Sequence, residues 1–223
     1  PAIRNPRKII DKLSLVITLD SRIALVGQNG TGKSTLMKIM AASLIPQGGQ
    51  IRRHSHLRIA WYHQHLKELL DLEISPLDYM FKEFKDEHKL ENNSEGIQKL
   101  RSALGPFGIT GTQQTSPMKL LSEGLRSRVV FAWLAFQGPH VLLLDEPTNS
   151  LSADMIDSLA IAINQFNGAV VLVSHDFSLI DQVAKQIYEC TGEGGIKEFK
   201  GSITDYKDFI RRKIEEEEKD YLD

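Results

Sequence analysis

Nine consecutive residues have the composition of a phosphate-binding loop. An apolar run, Ile23–Val26, precedes them, and the helix-like segment Leu36–Ala42 follows. Glycine lets backbone N–H groups turn towards a polyphosphate because no Cβ stands in the way. Lysine supplies a cation for the β- and γ-phosphates, and serine a hydroxyl ligand for Mg²⁺. The first eight of these residues match G-x-x-x-x-G-K-[ST], and a threonine follows them. A nucleoside triphosphate site is therefore predicted at Gly27, Gln28, Asn29, Gly30, Thr31, Gly32, Lys33, Ser34 and Thr35.

Two acidic residues follow a second apolar run. Val141–Leu144 is typical of a buried strand, and Asp145 and Glu146 come directly after it. P-loop enzymes use such a strand to bring carboxylates to the metal side of the nucleotide. We expect Asp145 to lie near Mg²⁺ through its water shell, because Mg²⁺ dehydrates reluctantly. Glu146, one residue further, is the candidate general base, or the group that polarises the attacking water.

Two more candidate site residues follow predicted strands. His175 comes after Val170–Val173, at the end of a parallel strand where α/β sheets bind ligands, and it is predicted to hydrogen-bond the γ-phosphate. Gln64 comes after Leu57–Tyr62 and is a candidate contact for Mg²⁺ and water.

The sheet that must position these residues is predicted to be mostly parallel. The strands around Asp145 and His175 flank a helical segment, Met155–Ile163, and a strand–helix–strand order implies parallel pairing. Other strands are predicted over Ile9–Leu19, over Ile23–Val26, and in a pair that Gly48-Gly49 separates and that ends in Leu57–Tyr62. A hairpin is expected about Gly192–Gly195.

A helical region is predicted between the two parts of the sheet. Ser75-Pro76 begins one helix, with Leu77, Met80, Phe81 and Phe84 on one face. A second helix is predicted over Ser94–Leu104 and a third from near Ser122. We therefore expect one domain over 1–223, with an α/β core and β subdomain (1–64 and 138–203), a helical subdomain (65–137) and a charged C-terminal helix (204–223).

The composition of the chain excludes several other classes of protein. Its 223 residues include 27 basic and 29 acidic ones, so the domain as a whole has no electrostatic footprint for nucleic acid. The single cysteine, Cys190, excludes an internal disulfide and gives no reason to expect a disulfide-linked partner. No apolar stretch approaches the roughly 18 residues of a membrane span, so no membrane contact is expected. The start at Pro1, rather than at a methionine, is expected of a piece of a longer protein.

Taken together, the motifs resemble the nucleotide-binding domain of the ATP-binding-cassette (ABC) superfamily over nearly the whole chain. The resemblance assigns a role to each motif: Gly27–Ser34 is similar to the Walker A motif, Gln64 to the Q-loop, Leu121–Leu125 to the signature motif, Leu142–Glu146 to the Walker B motif with its catalytic glutamate, and His175 to the switch histidine. Within the signature motif, it implies that Ser122, Glu123 and Gly124 contact the ATP of a partner domain.

Within the superfamily, the chain is most similar to the ABC-F branch, whose members carry two such domains on one chain. Trp61–Leu66, Glu146–Asn149 and Ser174–Phe177 carry this similarity, and the eukaryotic members implicated in ribosome assembly match best through their second domain. The resemblance implies an α/β P-loop NTPase fold with a mostly parallel core sheet, an antiparallel β subdomain and an inserted helical subdomain. It also implies ATP and Mg²⁺ as ligands, and a second ABC domain in the parent chain or in a homodimer. A ribosome or pre-ribosomal particle is implied as partner, with a cytoplasmic and also a nuclear or nucleolar location.

The chain departs from the family pattern at three places. The signature motif usually reads Leu-Ser-Gly-Gly-Gln, whereas Glu123 and Leu125 stand here at its third and fifth positions. The loop after Glu146 usually reads Thr-Asn-His-Leu-Asp, but Ser150 and Ser152 replace its histidine and aspartate. No aromatic residue precedes the P-loop, so the adenine platform of the family is expected to be absent, or to be built from Arg7, from Ile9 or from another chain.

These departures leave three hypotheses of function open. The first is an ATPase in which Glu146 prepares water and His175 contacts the γ-phosphate, with slow or absent turnover in the isolated domain. The second is an ATP-gated clamp in which this site is impaired and the partner domain hydrolyses most of the ATP; the residues that motivate it are Glu123, Leu125, Ser150 and Ser152. The third is the nucleotide-binding subunit of a transporter.

Overall fold

A six-stranded sheet forms the centre of the molecule in a computed structural model. The model describes residues 8–149, 151–192 and 194–220, without the side chains of Gln64, Lys67, Ile214 and 216–220. The strands are β1 Arg22–Val26, β2 Ile59–Tyr62, β3 Val141–Asp145, β4 Ala169–Val173, β5 Gln186–Cys190 and β6 Ile196–Phe199. Their order across the sheet is β2-β3-β4-β1-β5-β6, and all neighbours are parallel except β5 and β6, which are antiparallel.

Seven α-helices cover this sheet in the described part of the chain: α1 Lys33–Met40, α2 Pro76–Phe84, α3 Ser94–Leu104, α4 Glu123–Phe136, α5 Ala153–Gln165, α6 Phe177–Val183 and α7 Ile203–Asp220. Short 3₁₀ helices lie at Gln64–Leu69, Gly105–Phe107, Gly111–Gln114 and Met118–Leu120. None of the described helices has both the length and the apolar character needed to cross a bilayer.

Side-chain caps explain where the three central helices begin. The Ser75 hydroxyl accepts a hydrogen bond from the Asp78 N–H at the start of α2. Asn93 caps α3 and Ser122 caps α4 in the same way, through acceptor distances of 2.9 and 3.3 Å. Each cap satisfies one of the N–H groups that a helix leaves unpaired at its start. The predicted helices therefore agree with the structure to within one or two residues.

Apolar residues on both faces of the sheet account for its uninterrupted hydrophobic strands. Ile23, Leu25 and Leu143 pack on one face with Leu36 and Met37 of α1. The side chains of alternate residues in β1, β3 and β4 point to the other face, where they pack with residues of α2 to α7; examples are Ala24, Leu142, Leu144, Val170 and Leu172. A parallel sheet is buried on both faces, so its strands show no alternation with polar residues.

The strand order brings the carboxyl ends of β3, β4 and β1 side by side. Val173 of β4 lies level with Asp145 on one side and with Leu25 on the other. The loops that follow these three strands begin at Gly27, Glu146 and Ser174. Segments that are more than a hundred residues apart in sequence therefore meet at one edge of the sheet.

Two predicted strands are wrong. Within Ile9–Leu19, the described backbone makes a single bridge, from Ile10 to Gly194. The segment around Gly48-Gly49 forms no hairpin in the described structure, and regular pairing starts only at Ile59. Both segments have apolar residues in a strand-like pattern, but a strand forms only where a neighbour accepts its backbone hydrogen bonds. The antiparallel component of the described fold is the pair β5 and β6, which contains the predicted hairpin.

A leucine in the central core provides a test of this packing. Leu143 is fully buried on β3, and Leu143→Ala should lower the free energy of unfolding by about 2–5 kcal/mol because a cavity is left behind. Leu69→Ala is the matched control, because 66% of Leu69 is exposed, and its effect should stay within about 0.5 kcal/mol. Urea titration measures both, and equal losses would contradict the assigned core.

Candidate nucleotide-binding site

The loop between β1 and α1 folds as the sequence predicts and requires glycine at two positions. Gly27 has φ of 134°, and a Cβ there would overlap the carbonyl oxygen of Cys190. Gly32 has φ of 104°, and a Cβ would lie 2.9 Å from a methyl carbon of Ile9. L-residues with a side chain rarely adopt such φ values. Larger residues at these positions would therefore force the loop open.

Lys33 places a buried ammonium group at the centre of this loop. The residue is 7% exposed, and its Nζ donates to the carbonyl oxygens of Gly27 at 2.7 Å and Gln28 at 2.8 Å. Burial lowers the pKa of Lys33, whereas the thiol of Cys190 and the carboxylates of Glu146 and Asp145 raise it. The loop thus holds a cation ready for an anionic ligand.

A cavity of about 400 Å³ opens beside Lys33 and collects most of the predicted site residues. Asn149, Val173 and Ile9 complete its wall, and sequence reasoning named only Ile9, as a possible adenine contact. Arg7, the other candidate for that contact within this chain, lies outside the described residues. The predicted site residues that line the cavity are Asn29, Gly30, Gly32, Lys33, Ser34, Thr35, Asp145, Glu146 and His175.

The acidic pair lines the same cavity as the glycine loop. Asp145 ends β3, and burial raises its pKa while the charge of Lys33 lowers it. Glu146 has φ of 49°, an unusual backbone conformation for a residue with a side chain, and its N–H donates to the Val173 carbonyl at 2.9 Å. Burial also raises the pKa of Glu146, and the neighbouring His175 opposes the shift. Sequence reasoning predicted the pair but not this backbone conformation.

His175 connects the acidic pair to the glycine loop. Its Nε2 lies 3.2 Å from Oδ1 of Asn29 and 3.4 Å from Oε1 of Glu146. Its backbone N–H donates to Oε2 of Glu146 at 3.4 Å. The residues around it fix its backbone: the Ser174 hydroxyl accepts from the Asp176 N–H, and Asp176 caps α6. The backbone of His175 is therefore held by the hydrogen bonds of its neighbours, whereas its ring is half-exposed.

The donor atoms at the site fit a magnesium nucleotide. The Ser34 hydroxyl and the Asp145 carboxylate are hard oxygen donors on the same cavity, the kind that Mg²⁺ prefers. No group of three or more His, Cys, Asp or Glu in the described part of the chain is arranged to hold a metal ion. Mg²⁺ usually takes one or two protein ligands together with phosphates and water, so two donors suffice. Gln64 begins a 3₁₀ helix, but its side chain lies outside the description.

The signature positions are outside the wall of this cavity. Ser122 caps α4, and Glu123 lies in the first turn of that helix. Gly124 packs so closely on α5 that a Cβ would overlap the sulfur of Met155. Leu125 is partly buried against the main core, which explains an apolar residue at this position. Contact between these residues and the ATP of a partner domain stays a prediction.

The loop after Glu146 is only partly described. Ser150 lies outside the described residues. Ser152 occupies the capping position of α5 and makes no side-chain cap. The structure therefore gives no ordered role to the serine that replaces the usual aspartate.

The fold and the site define a P-loop nucleoside triphosphate-binding domain. A family model described as "ABC transporter" matches residues 10–149, more than half of the sequence, and the chain belongs to this family. The expected ABC-F resemblance is also confirmed by named relatives. ATP-binding cassette sub-family F member 2 of Mus musculus is 49% identical over 94% of this chain and 32% of its own length. ABC transporter ATP-binding protein ARB1 of Saccharomyces cerevisiae is 47% identical over 94% of this chain and 33% of its own length.

This chain thus spans about a third of the length of these relatives. Among solved structures, a metal-chelate type ABC transporter in an inward-facing conformation has a TM-score of 0.67. The match covers 88% of this chain and 77% of the transporter chain, with 22% sequence identity. At that identity the likeness supports the fold alone.

The raised pKa of Asp145 predicts how stability changes with pH. Burial puts its folded pKa above the unfolded value of about 3.9, so stability of the nucleotide-free protein falls as pH rises through that interval. Asp145→Asn removes the buried charge and should raise the thermal midpoint at neutral pH. This advantage should disappear as the pH approaches about 4, where the wild-type carboxyl is protonated as well.

Asp205→Asn is the matched control for this measurement, because the sign is reversed there. Hydrogen bonds from the side chain and backbone of Ser202 lower the pKa of Asp205, so this exposed carboxylate stabilises the fold once it is ionised. Asp205→Asn should therefore lower the thermal midpoint of unfolding at neutral pH. Scanning calorimetry measures both variants, and a lower midpoint for Asp145→Asn would contradict the assignment.

Proposed function

We propose that this domain hydrolyses ATP within a longer ABC-F type protein. One observation carries the proposal: a single cavity is lined by the P-loop cation Lys33, the acidic pair Asp145 and Glu146, and His175. A domain that only bound nucleotide would not require a partly buried glutamate beside the phosphate-binding loop. The 47–49% identity to ABC-F relatives favours this proposal over a transporter subunit.

The chemistry begins with an exchange of hydrogen bonds at Lys33. Its Nζ now donates to two loop carbonyls, and phosphate oxygens are better acceptors for an ammonium group. The loop N–H groups and the start of α1 add positive potential for the same phosphates. Bound Mg²⁺ would supply charge neutralisation on the β- and γ-phosphates, held from Ser34 and Asp145.

Glu146 then acts on the attacking water. The water oxygen forms a bond to the γ-phosphorus as the bond to the β-phosphate oxygen breaks, and ADP leaves. The carboxylate of Glu146 accepts the proton of the water, and its raised pKa makes it a better base than an exposed glutamate. His175 donates to the γ-phosphate from Nε2, the atom that faces the cavity.

A second ABC domain is proposed to complete the site. Ser122 and Gly124 are outside the wall of the cavity of their own domain, so their proposed target is a nucleotide on another domain. The relatives are about three times as long as this chain, which leaves room for a second domain. The isolated domain should therefore turn over ATP slowly or not at all.

The second candidate function is an ATP-gated clamp with an impaired site. Glu123 brings a carboxylate towards the partner's γ-phosphate, where unit charges 4 Å apart repel by about 4 kcal/mol at an effective dielectric of 20. The helix dipole stabilises an acidic residue in the first turn by only about 0.3–1 kcal/mol, which does not offset this repulsion. Glu123 must therefore turn into solvent when the two domains close. Leu125, held against the core, offers no amide to replace the usual glutamine.

Glu146→Gln tests the first candidate function in the full-length protein. The amide cannot accept the proton from water, so ATP should stay bound and phosphate release from this site should fall at least a hundredfold. Glu68→Gln, at an exposed residue on a 3₁₀ helix, is the control and should leave release unchanged. Single-turnover counting gives the number of active sites per chain. One active site, with Glu146→Gln silent, would contradict hydrolysis here and support the clamp.

Coupling to a ribosome or pre-ribosomal particle is proposed from the ABC-F relatives, and the charge distribution supports it. Residues 21–67 contain seven lysines and arginines and no acidic residue, although the whole chain has a net charge of −2. Lys38, Arg52 and Arg58 are exposed within this stretch. A local basic surface attracts the phosphates of RNA even where the whole domain is nearly neutral.

Charge reversal at Arg52 tests this surface. Arg52→Glu should weaken co-sedimentation of the full-length protein with ribosomal particles and reduce the salt slope by about one. Lys197→Glu makes the same charge change at an exposed position on β6, an edge strand of the sheet, and should have a smaller effect. Equal effects of the two variants would exclude a localised basic contact, and nucleotide affinity serves as the check on folding.

A further inference from the structure

We propose that Asn29 is a positioning residue that retains His175 in the nucleotide-free protein and competes with the γ-phosphate for the same histidine proton. The two side chains come from different elements, the glycine loop and the end of β4, and their atoms Oδ1 and Nε2 are 3.2 Å apart. Both residues line the cavity next to Lys33. The inference rests on the proposed contact between His175 and the γ-phosphate.

The surrounding atoms determine which nitrogen of the ring carries the proton. Nε2 of His175 faces two oxygens, Oδ1 of Asn29 and Oε1 of Glu146, which lies 3.4 Å away. If Nε2 carried no hydrogen, its lone pair would face the carboxylate of Glu146, and the two would repel each other. Rotating the amide of Asn29 would pair it with such a nitrogen, but the repulsion from Glu146 would remain. Nε2 therefore carries hydrogen and acts as the donor, and Asn29 accepts through its oxygen.

An arriving γ-phosphate needs the same hydrogen. The hydrogen on Nε2 cannot point fully at Asn29 and at a phosphate oxygen together, and a phosphate oxygen is a stronger acceptor than a neutral amide. The ring of His175 is free to make this exchange, because 58% of its side chain is exposed while its backbone is held by neighbouring caps. ATP must therefore break the contact with Asn29, and that cost reduces its affinity.

ADP does not have to meet this cost. It lacks the group that would reach Nε2, so the contact between Asn29 and His175 persists when ADP is bound. The contact then lowers the preference of the site for ATP over ADP and keeps His175 on the loop until a γ-phosphate is present. Asn29 thus influences specificity through His175, separately from any contact of the loop backbone with phosphates.

The test measures the affinities of the full-length protein for a non-hydrolysable ATP analogue and for ADP, each with Mg²⁺, by calorimetry. Asn29→Ala should strengthen binding of the ATP analogue about two- to tenfold, the range for one lost hydrogen bond. Binding of ADP should change by a smaller factor, so that the ratio of the two affinities shifts in favour of the ATP analogue. Asn29 is an exposed residue, so the truncation removes no core packing. Asn29→Thr, which also lacks the amide, should behave in the same way.

The His175→Ala background distinguishes this inference from other roles of Asn29. There, Asn29→Ala should leave the ratio of the two affinities unchanged. A ratio that still changes in that background, or equal weakening of both ligands by Asn29→Ala, would overturn the inference in favour of a direct phosphate contact. An unchanged ratio for Asn29→Ala in the otherwise wild-type protein would also overturn it. If His175→Ala alone leaves the ratio unaltered, it is the proposed γ-phosphate contact of His175 that fails.

Discussion

The candidate site depends on keeping one ammonium group away from water without neutralising it by a direct ion pair. Lys33 is almost fully buried, and its partners are carbonyl oxygens of its own loop. The carboxylates of Asp145 and Glu146 line the same cavity and are near enough to raise its pKa. Because a buried charge is costly without partners, the loop conformation and the ammonium group stabilise each other, and an incoming polyphosphate replaces partners that are already arranged.

The sheet determines where the opposing charges stand. β4 lies between β3 and β1, so the acidic pair, the histidine and the glycine loop follow three adjacent strands. Each of these strands is apolar on both faces, which fixes the sheet between two cores and leaves only the strand ends for polar chemistry. The rigid layer below explains how a network with distances of 3.2 to 3.4 Å persists around a partly exposed ring.

The departures from the family pattern concentrate where the chain would meet another domain. Residues inside the cavity keep their expected types, whereas Glu123, Leu125 and Ser152 lie outside its wall. Leu125 has a local structural reason, since it packs on the core, whereas Ser152 makes no side-chain cap at the start of α5. This domain thus carries the expected residue types within its own cavity. The two candidate functions, ATP hydrolysis and an ATP-gated clamp, differ mainly in what a partner domain contributes to the site.

The sequence alone determined the glycine loop, the acidic pair, the helix starts near Ser75, Ser94 and Ser122, and the parallel sheet, because each follows from local chemistry or from the strand–helix–strand order. It gave the wrong result for Ile9–Leu19 and for the segment around Gly48-Gly49, since a strand needs a neighbour that no local pattern reveals. The left-handed backbone of Glu146 and the contact between Asn29 and His175 were decided only by tertiary structure. Both arise where loops from distant parts of the chain meet, and the distances between such loops are set by the whole sheet.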